Sequence, residues 1–172
     1  KRLTQLNELK RRQDQYNFLY VRDVAPRLQL LHHFGCLDLV DARPIVEKLQ
    51  AEQILGNRFP AGRKPVSDRR VLQGLFFPCG MDPMEDTYES LLILSLVGGL
   101  DRIEKQACVD GILRLHLGRG AFRLDRKADQ ILMMGGPKDA FYAYESLRLL
   151  GGLNQVKDLN RWTFAMPGRL TS

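Results

Sequence analysis

A six-residue motif with glycine first and leucine third occurs three times in this chain. The copies begin at Gly35, Gly98 and Gly151 and read GCLDLV, GGLDRI and GGLNQV. The second copy lies 63 residues after the first, and the third lies 53 residues after the second. Repetition along a chain is typical of arrays in which one supersecondary unit packs on the next. Any fold of this chain therefore has to use the same local structure three times.

Each motif follows an apolar segment with helical spacing. Residues three apart, which share one helix face, are apolar or aromatic at equivalent positions: Leu28, Leu31 and Phe34, then Leu91, Leu94 and Val97, then Tyr144, Leu147 and Leu150. A second apolar group follows each motif: Ile45, Val46 and Leu49, then Cys108, Val109 and Ile112, then Trp162 and Ala165. The pattern predicts three tandem helical hairpins.

The motif also suits a helical turn. Glycine adopts the left-handed conformation that closes a helix, so it ends the first helix of each hairpin. Asp38, Asp101 and Asn154 can cap the second helix, since their side-chain oxygens accept from exposed N–H groups. In the first copy Pro44 has to stay within the first turn, so that helix is expected to begin nearer Asp41.

One domain is expected over residues 1–172, a length that supports a single hydrophobic core. We predict an all-α fold with a charged N-terminal helix at 4–20 and hairpins around 24–53, 86–117 and 138–165. Residues 54–85 are rich in glycine and proline and are expected to be a loop, in which 71–77 form a short helix or strand. Residues 118–138 form a second irregular connection.

A family resemblance rests on two of these units. Asp86-Thr87-Tyr88 opens a helix that ends at Gly98-Gly99-Leu100, the segment from Gly118 to Phe122 follows the next helix, and Asp139-Ala140-Phe141 begins another copy. These motifs resemble the repeats of protein prenyltransferase β subunits, squalene cyclases and related terpene cyclases.

The resemblance implies an α/α toroid, with inner and outer helices around an apolar cavity that binds an isoprenoid. Three hairpins are fewer than a complete toroid contains. We therefore predict a partial α/α toroid that belongs to a longer chain, is completed by another subunit, or is an open solenoid.

The chemistry of the family is not reproduced. At the positions comparable to its zinc site, Asp86 and Asp139 are present, but the cysteine two residues later is replaced by Tyr88 and Phe141. Cys108 and Asp110 are potential zinc ligands elsewhere, on the second helix of their hairpin. The DxDD acid of terpene cyclases, the GCGEQ thioester motif and the Cys-His signature of lanthipeptide cyclases are missing. We predict no metal and no cofactor, and the sequence identifies no catalytic residue.

A group of basic residues crowds the second connection: Arg119, Arg123, Arg126 and Lys127, with Lys138 at its end. Guanidinium groups suit bidentate recognition of phosphate. In the resembled family the corresponding loop contributes to a diphosphate site, so these four residues are the candidate site for an isoprenoid diphosphate. The alternative is a solvated cluster that Asp125 and Asp129 neutralise.

The remaining candidates have simpler explanations. His32, His33 and His116 lie at predicted helix ends, where histidine interacts favourably with the last carbonyls. Phe76-Phe77 and Met133-Met134 can line a pocket, but core packing explains them as well.

Charge and composition limit the classes of binding partner and the cellular compartment to be expected. The net charge of +6 is scattered along the chain without a basic stripe or a recognition motif, which argues against nucleic acid. No apolar run reaches the roughly 18 residues that span a bilayer. Three cysteines without CxxC spacing and a polar start without a signal segment lead us to expect a cytoplasmic protein with reduced thiols.

Two functions remain open. The first is an isoprenoid-handling enzyme, such as a transferase acting on a prenyl diphosphate. The alternative is a noncatalytic helical-repeat module that completes a ring with another chain. In either case, residues 4–20 can cap one end of the array, and the C-terminal face near Trp162, Phe164 and Met166 is expected to contact another subunit or the rest of a longer chain.

Overall fold

A computed structural model describes residues 21–56, 72–78, 82–118, 121–122 and 137–156. Most of this part is helical, in five α-helices: α1 (Val21–His33), α2 (Ala42–Glu52), α3 (Pro83–Leu96), α4 (Lys105–Arg114) and α5 (Pro137–Leu150). Two short strands, β1 (His116–Gly118) and β2 (Ala121–Phe122), pair antiparallel. The all-α prediction is confirmed. The predicted helix at 4–20 and the second helix of the third hairpin lie outside the described residues.

The glycine turns were predicted correctly. Gly35, Gly98 and Gly151 have φ of 64°, 71° and 71°. In each turn the next residue donates its N–H to the carbonyl oxygen of the leucine five residues earlier, at 2.8, 2.7 and 2.8 Å, and these acceptors are Leu31, Leu94 and Leu147. This is the Schellman closure, which satisfies carbonyls at the end of a helix. The repeated motif is therefore a repeated helix stop.

The assignment of helix caps at Asp38 and Asp101 was wrong, and the helix that Asn154 was expected to cap lies outside the described residues. These residues lie inside 3-10 turns, Leu37–Leu39, Leu100–Arg102 and Leu153–Gln155. Backbone carbonyls of the turns themselves accept the nearby N–H groups, so a side-chain cap is not needed at these points. In the first hairpin the second helix begins after Asp41, whose carboxylate accepts from the N–H of Arg43. This start agrees with the one expected from Pro44.

The hairpins stack in chain order through one repeated contact. A Cβ atom added to Gly99 would lie 2.7 Å from Val46 of α2, and one added to Gly152 would lie 2.8 Å from Val109 of α4. Val46 and Val109 are themselves 63 residues apart, the spacing of the first two motifs. Each turn therefore packs on the second helix of the preceding hairpin, and glycine is needed there for close approach.

The predicted apolar stripes face a shared core, with one exception. Leu94 and Leu147 are fully buried, and Leu31 packs against the core while partly exposed. Phe34 is 66% exposed, so its assignment to the core was wrong. The third residue of each motif packs against the core, as expected of the leucine in the turn: Leu37, Leu100 and Leu153.

The described end of the first connection, residues 72–78, is fixed to three helices. The buried amide of Gln53 donates to the carbonyl oxygens of Gly74 (3.2 Å) and Glu104 (3.0 Å) and accepts from the N–H of Glu104 (3.0 Å). Phe76 forms an isolated antiparallel bridge with Gln53. The N–H of Phe76 lies 3.0 Å from the Thr87 hydroxyl oxygen, and that hydroxyl lies 3.2 Å from the carbonyl oxygen of Phe76 to which it donates. Phe76 is fully buried, which supports its core role.

Two helix boundaries differ from the prediction. The third helix begins at Pro83 rather than at 86, because Asp82 accepts from two backbone N–H groups at 3.0 and 3.1 Å and proline suits the first helical position. The fourth ends at Arg114 rather than near 117. His116 is therefore not at a helix end but in β1, opposite Phe122, whose ring is fully buried.

Candidate functional site

The first helices of the three hairpins lie side by side with their N-terminal ends together. Arg22, Glu85 and Lys138 lie in the first turns of α1, α3 and α5, and these residues are 63 and 53 positions apart, like the glycine turns. They therefore occupy the same position of the repeat with alternating charge. Residues that have this relation are called counterparts below.

The Glu85 carboxylate joins the three helices. Its Oε2 lies 2.5 Å from Nη2 of Arg22 and 3.1 Å from Nζ of Lys138, and its Oε1 accepts from the Tyr142 hydroxyl at 3.1 Å. The Glu85 side chain is only 11% exposed, so solvent screens these interactions less than at an open surface. Burial, together with the bond to Glu85, raises the pKa of Tyr142 to about 12, so its hydroxyl remains a donor.

Further carboxyl groups surround this network. Asp86 is fully buried, with Oδ1 3.8 Å from Nη2 of Arg22, and Asp139 is 7% exposed at the start of α5. Glu89 follows Glu85 by one helical turn. We call the combined group the helix-start cluster; its members are Arg22, Glu85, Asp86, Glu89, Lys138, Asp139 and Tyr142.

Glu89 is a member of the cluster with altered acidity. Burial, and next the charge of Glu85, raise its pKa to about 7. Its Oε2 is buried and has no hydrogen-bond partner in the described part of the chain. Glu89 can therefore hold or release a proton near neutral pH.

The cluster has little free positive charge. Arg22 and Lys138 both contact Glu85, which takes the position that a bound anion would need between them. An anionic ligand at this point has to displace a carboxylate of the chain itself. The geometry consequently suits an ion-pair network that fixes the three helix starts, with Glu89 as its titrating group.

Aromatic rings occupy the positions where the resembled family has its zinc-binding cysteine. Tyr88 stacks on Tyr142 at a centroid distance of 5.2 Å and meets the edge of Phe141 at 5.9 Å. Cys108 is fully buried, which raises the pKa of its thiol, whereas Asp110 is exposed, so these two side chains do not converge. Among the described residues, no group of three or more His, Cys, Asp or Glu side chains is arranged to hold a metal ion.

The predicted diphosphate site was placed on Arg119, Arg123, Arg126 and Lys127, all of which lie outside the described residues. Lys138, at the end of that connection, belongs to the helix-start cluster. His32 and His33 are exposed at the end of α1. His116 lies against Phe122 at 5.0 Å, and its buried Nε2 has no partner in the described ranges.

Sequence reasoning missed most of the helix-start cluster, although it noted Asp86, Asp139 and Lys138 separately. The signal was present in the repeat, because superposing the three motifs and extending the comparison six residues before Leu28, Leu91 and Tyr144 aligns Arg22, Glu85 and Lys138. Alternating charge at one repeat position predicts contact between neighbouring helices.

A second feature appears when α1 is compared with its counterparts. Leu30 is 58% exposed, whereas Ile93 of α3 and Ser146 of α5, at the same repeat position, are fully buried. The same contrast holds for Asp23 and Arg27, which are exposed while their counterparts on both later helices are buried. Spacings of four, three and four residues place Asp23, Arg27, Leu30 and Phe34 on one side of α1. We call these four residues the open face.

Replacing Glu89 with glutamine is expected to raise the free energy of unfolding at pH 8 by about 1–2 kcal/mol, after allowance for solvent screening. The folded-state pKa of about 7 exceeds the ordinary glutamate value of 4.5, so the wild type loses stability as pH rises between these values. The variant should lose less over that range. Chemical denaturation at pH 4.5, 6 and 8 measures the difference, with the exposed Glu47→Gln as control. Equal pH profiles for wild type and Glu89→Gln would contradict the shifted acidity.

Comparison of the chain with protein-family models, with curated proteins and with solved structures gave no match. In the part of the chain that the structure describes, no helix is both long and apolar enough to cross a membrane. Functional inference therefore rests on the helix-start cluster and the open face.

Proposed function

We propose that this chain is a noncatalytic helical-repeat module that binds another chain through the open face of α1 and so completes a ring of hairpins. The observation that carries the proposal is the exposure of Leu30, at 58%, where both counterparts are fully buried. On α3, the side that corresponds to the open face is covered by α1, and on α5 it is covered by α3. No helix among the described residues covers the open face of α1 itself. Exposed apolar residues grouped on one helix side are typical of interaction surfaces.

The helix-start cluster supports the same proposal. Its two cations are engaged by Glu85, and the ring of Tyr142 stacks on Tyr88 between α5 and α3. Such a network fixes the order and register of the helices, which is what a repeat scaffold requires.

The proposal is tested by purifying the tagged chain from its native cells and identifying the proteins that bind it. A partner of the open face should be lost when Leu30 is replaced with aspartate, because a charge is placed in an apolar contact. Gln29→Asp is the matched control, since it adds the same charge at an exposed position one residue away. Identical sets of bound proteins for the wild type and both variants would contradict the proposal.

Isoprenoid handling is the second candidate, and Glu89 is the observation that favours it. Glu89, with a pKa of about 7 and Asp86 nearby, is available as a general acid or base near neutral pH. Calorimetric titration with farnesyl diphosphate tests this candidate. If the Glu89→Gln variant still binds this ligand but no longer turns it over, the enzyme is favoured over the module.

A further inference from the structure

In the described part of the chain, the row of first helices ends on two unlike surfaces, the open face of α1 and a surface of α5. Phe141 is 54% exposed there, whereas its counterpart on α3, Tyr88, is partly buried against Phe141 and Tyr142 of the following helix. The surface around Phe141 is thus the kind of surface that α3 buries within the chain. We call it the forward face of α5.

The open face and the adjacent Pro26 offer counterparts for such a contact. Pro26 of α1 is exposed and occupies the repeat position of Tyr142, the residue on which Tyr88 stacks at 5.2 Å. Asp23 is exposed and occupies the repeat position of Asp86, which lies 3.8 Å from Arg22. Asp23 thus supplies on α1 one of the two acidic groups that Arg22 contacts inside the chain, whereas the position of the other, Glu85, is taken by Arg22 itself.

We infer that the open face of α1 binds the forward face of α5 in a second copy of this chain, head to tail. This inference rests on the proposed function and names its partner. Phe141 of one copy packs on Pro26 of the next, as Tyr88 packs on Tyr142 within the chain. Lys138 of the first copy faces Asp23 of the second, as Arg22 faces Asp86.

The contact joins two different surfaces, so it is heterologous, and its rotation decides whether the assembly closes. Two copies that close form a ring of six hairpins with two identical contacts. A rotation that does not close gives longer arrays through the same contact. In both cases the apolar residues Leu30 and Phe141 are buried by the same pairing.

Light scattering of the purified chain tests the association. The wild type is expected to have at least twice the 19.7 kDa mass of one chain. Leu30→Asp and Phe141→Asp should each weaken association by about 30-fold or more, because a charge enters the centre of the contact. Gln29→Asp should leave the mass unchanged. All three positions are exposed, and circular dichroism with thermal unfolding verifies that each variant folds.

Mixing the two disrupted variants provides the decisive observation. The Leu30→Asp chain retains a normal forward face and the Phe141→Asp chain retains a normal open face, so an equimolar mixture should form a pair through one intact contact. Neither variant should pair alone. A Phe141→Asp chain that still associates, or a mixture that stays monomeric, would overturn the head-to-tail arrangement.

The outcome for the proposed function is separate. A wild-type chain that is monomeric at every concentration overturns the second copy as partner. The proposed function still holds in that case if the wild type captures a different protein and the Leu30→Asp variant does not. If neither association nor capture depends on Leu30, the proposed function fails as well.

Discussion

Replacing Gly74 with alanine is expected to lower the free energy of unfolding by more than about 4 kcal/mol, beyond the usual range of single substitutions. A Cβ atom at this position would lie 1.8 Å from the carbonyl oxygen and 2.4 Å from the carbonyl carbon of Ala107 in α4. These are backbone atoms, so no side-chain rotation relieves the overlap. The connection has to move away from α4, which breaks the hydrogen bonds that Gly74 makes with Gln53 and Ile54.

Gly56→Ala is the matched control for this effect. Gly74 has φ of 87° and Gly56 has φ of 58°, so alanine is strained at both positions, but a Cβ atom at Gly56 meets nothing within 4 Å. The control should cost only about 1–2 kcal/mol, the penalty for a left-handed alanine. Urea denaturation of the two variants measures the difference. Equal losses would show that the connection does not pack against α4 as described.

Replacing Leu94 with alanine is expected to cost about 2–5 kcal/mol, the range for a leucine removed from a packed core. Leu94 is fully buried in α3, and its carbonyl oxygen also receives the N–H of Gly99 in the Schellman turn. The backbone bond survives the substitution, so the loss reports the packing of the side chain alone.

Leu30→Ala is the control for Leu94, because it removes the same atoms from a leucine that is 58% exposed. It should change the free energy of unfolding by no more than about 0.5 kcal/mol in the monomer. Thermal and urea unfolding at a concentration where the chain is monomeric compare the two variants. A near-neutral Leu94→Ala would contradict the position of α3 in the core.

The parts of the fold that sequence predicts well are those that local chemistry determines. Gly98 ends α3 because glycine is the residue that most readily takes a positive φ, and Leu94 is buried because its spacing from Leu91 continues one helix face. In both cases the residues that determine the local structure lie within a few positions of one another in the sequence. The start of α2 after Asp41 followed from the restriction that Pro44 places on a helix.

The parts that were missed depend on which elements meet in space. Phe34 continues the apolar spacing of α1 but is exposed, because that side has no neighbouring helix in the described part. Phe122 is buried between His116 of β1 and Tyr144 of α5, which helical periodicity does not reveal. Glu85 is an ordinary surface residue by composition, and only the approach of α1 and α5 makes it the centre of a network.

The hydrogen bonds of Gln53 determine how the array comes apart. Repeat arrays are able to unfold one unit at a time, since each unit contacts only its neighbours. Here one buried amide at the end of the first hairpin bonds both Gly74 and Glu104, which precedes the second helix of the next hairpin. Separating the two hairpins leaves these groups without partners, at about 1–3 kcal/mol for each one that remains buried. We therefore expect the first two hairpins to unfold together, and the Glu104 amide hydrogen to exchange with solvent when the contact with Gln53 opens.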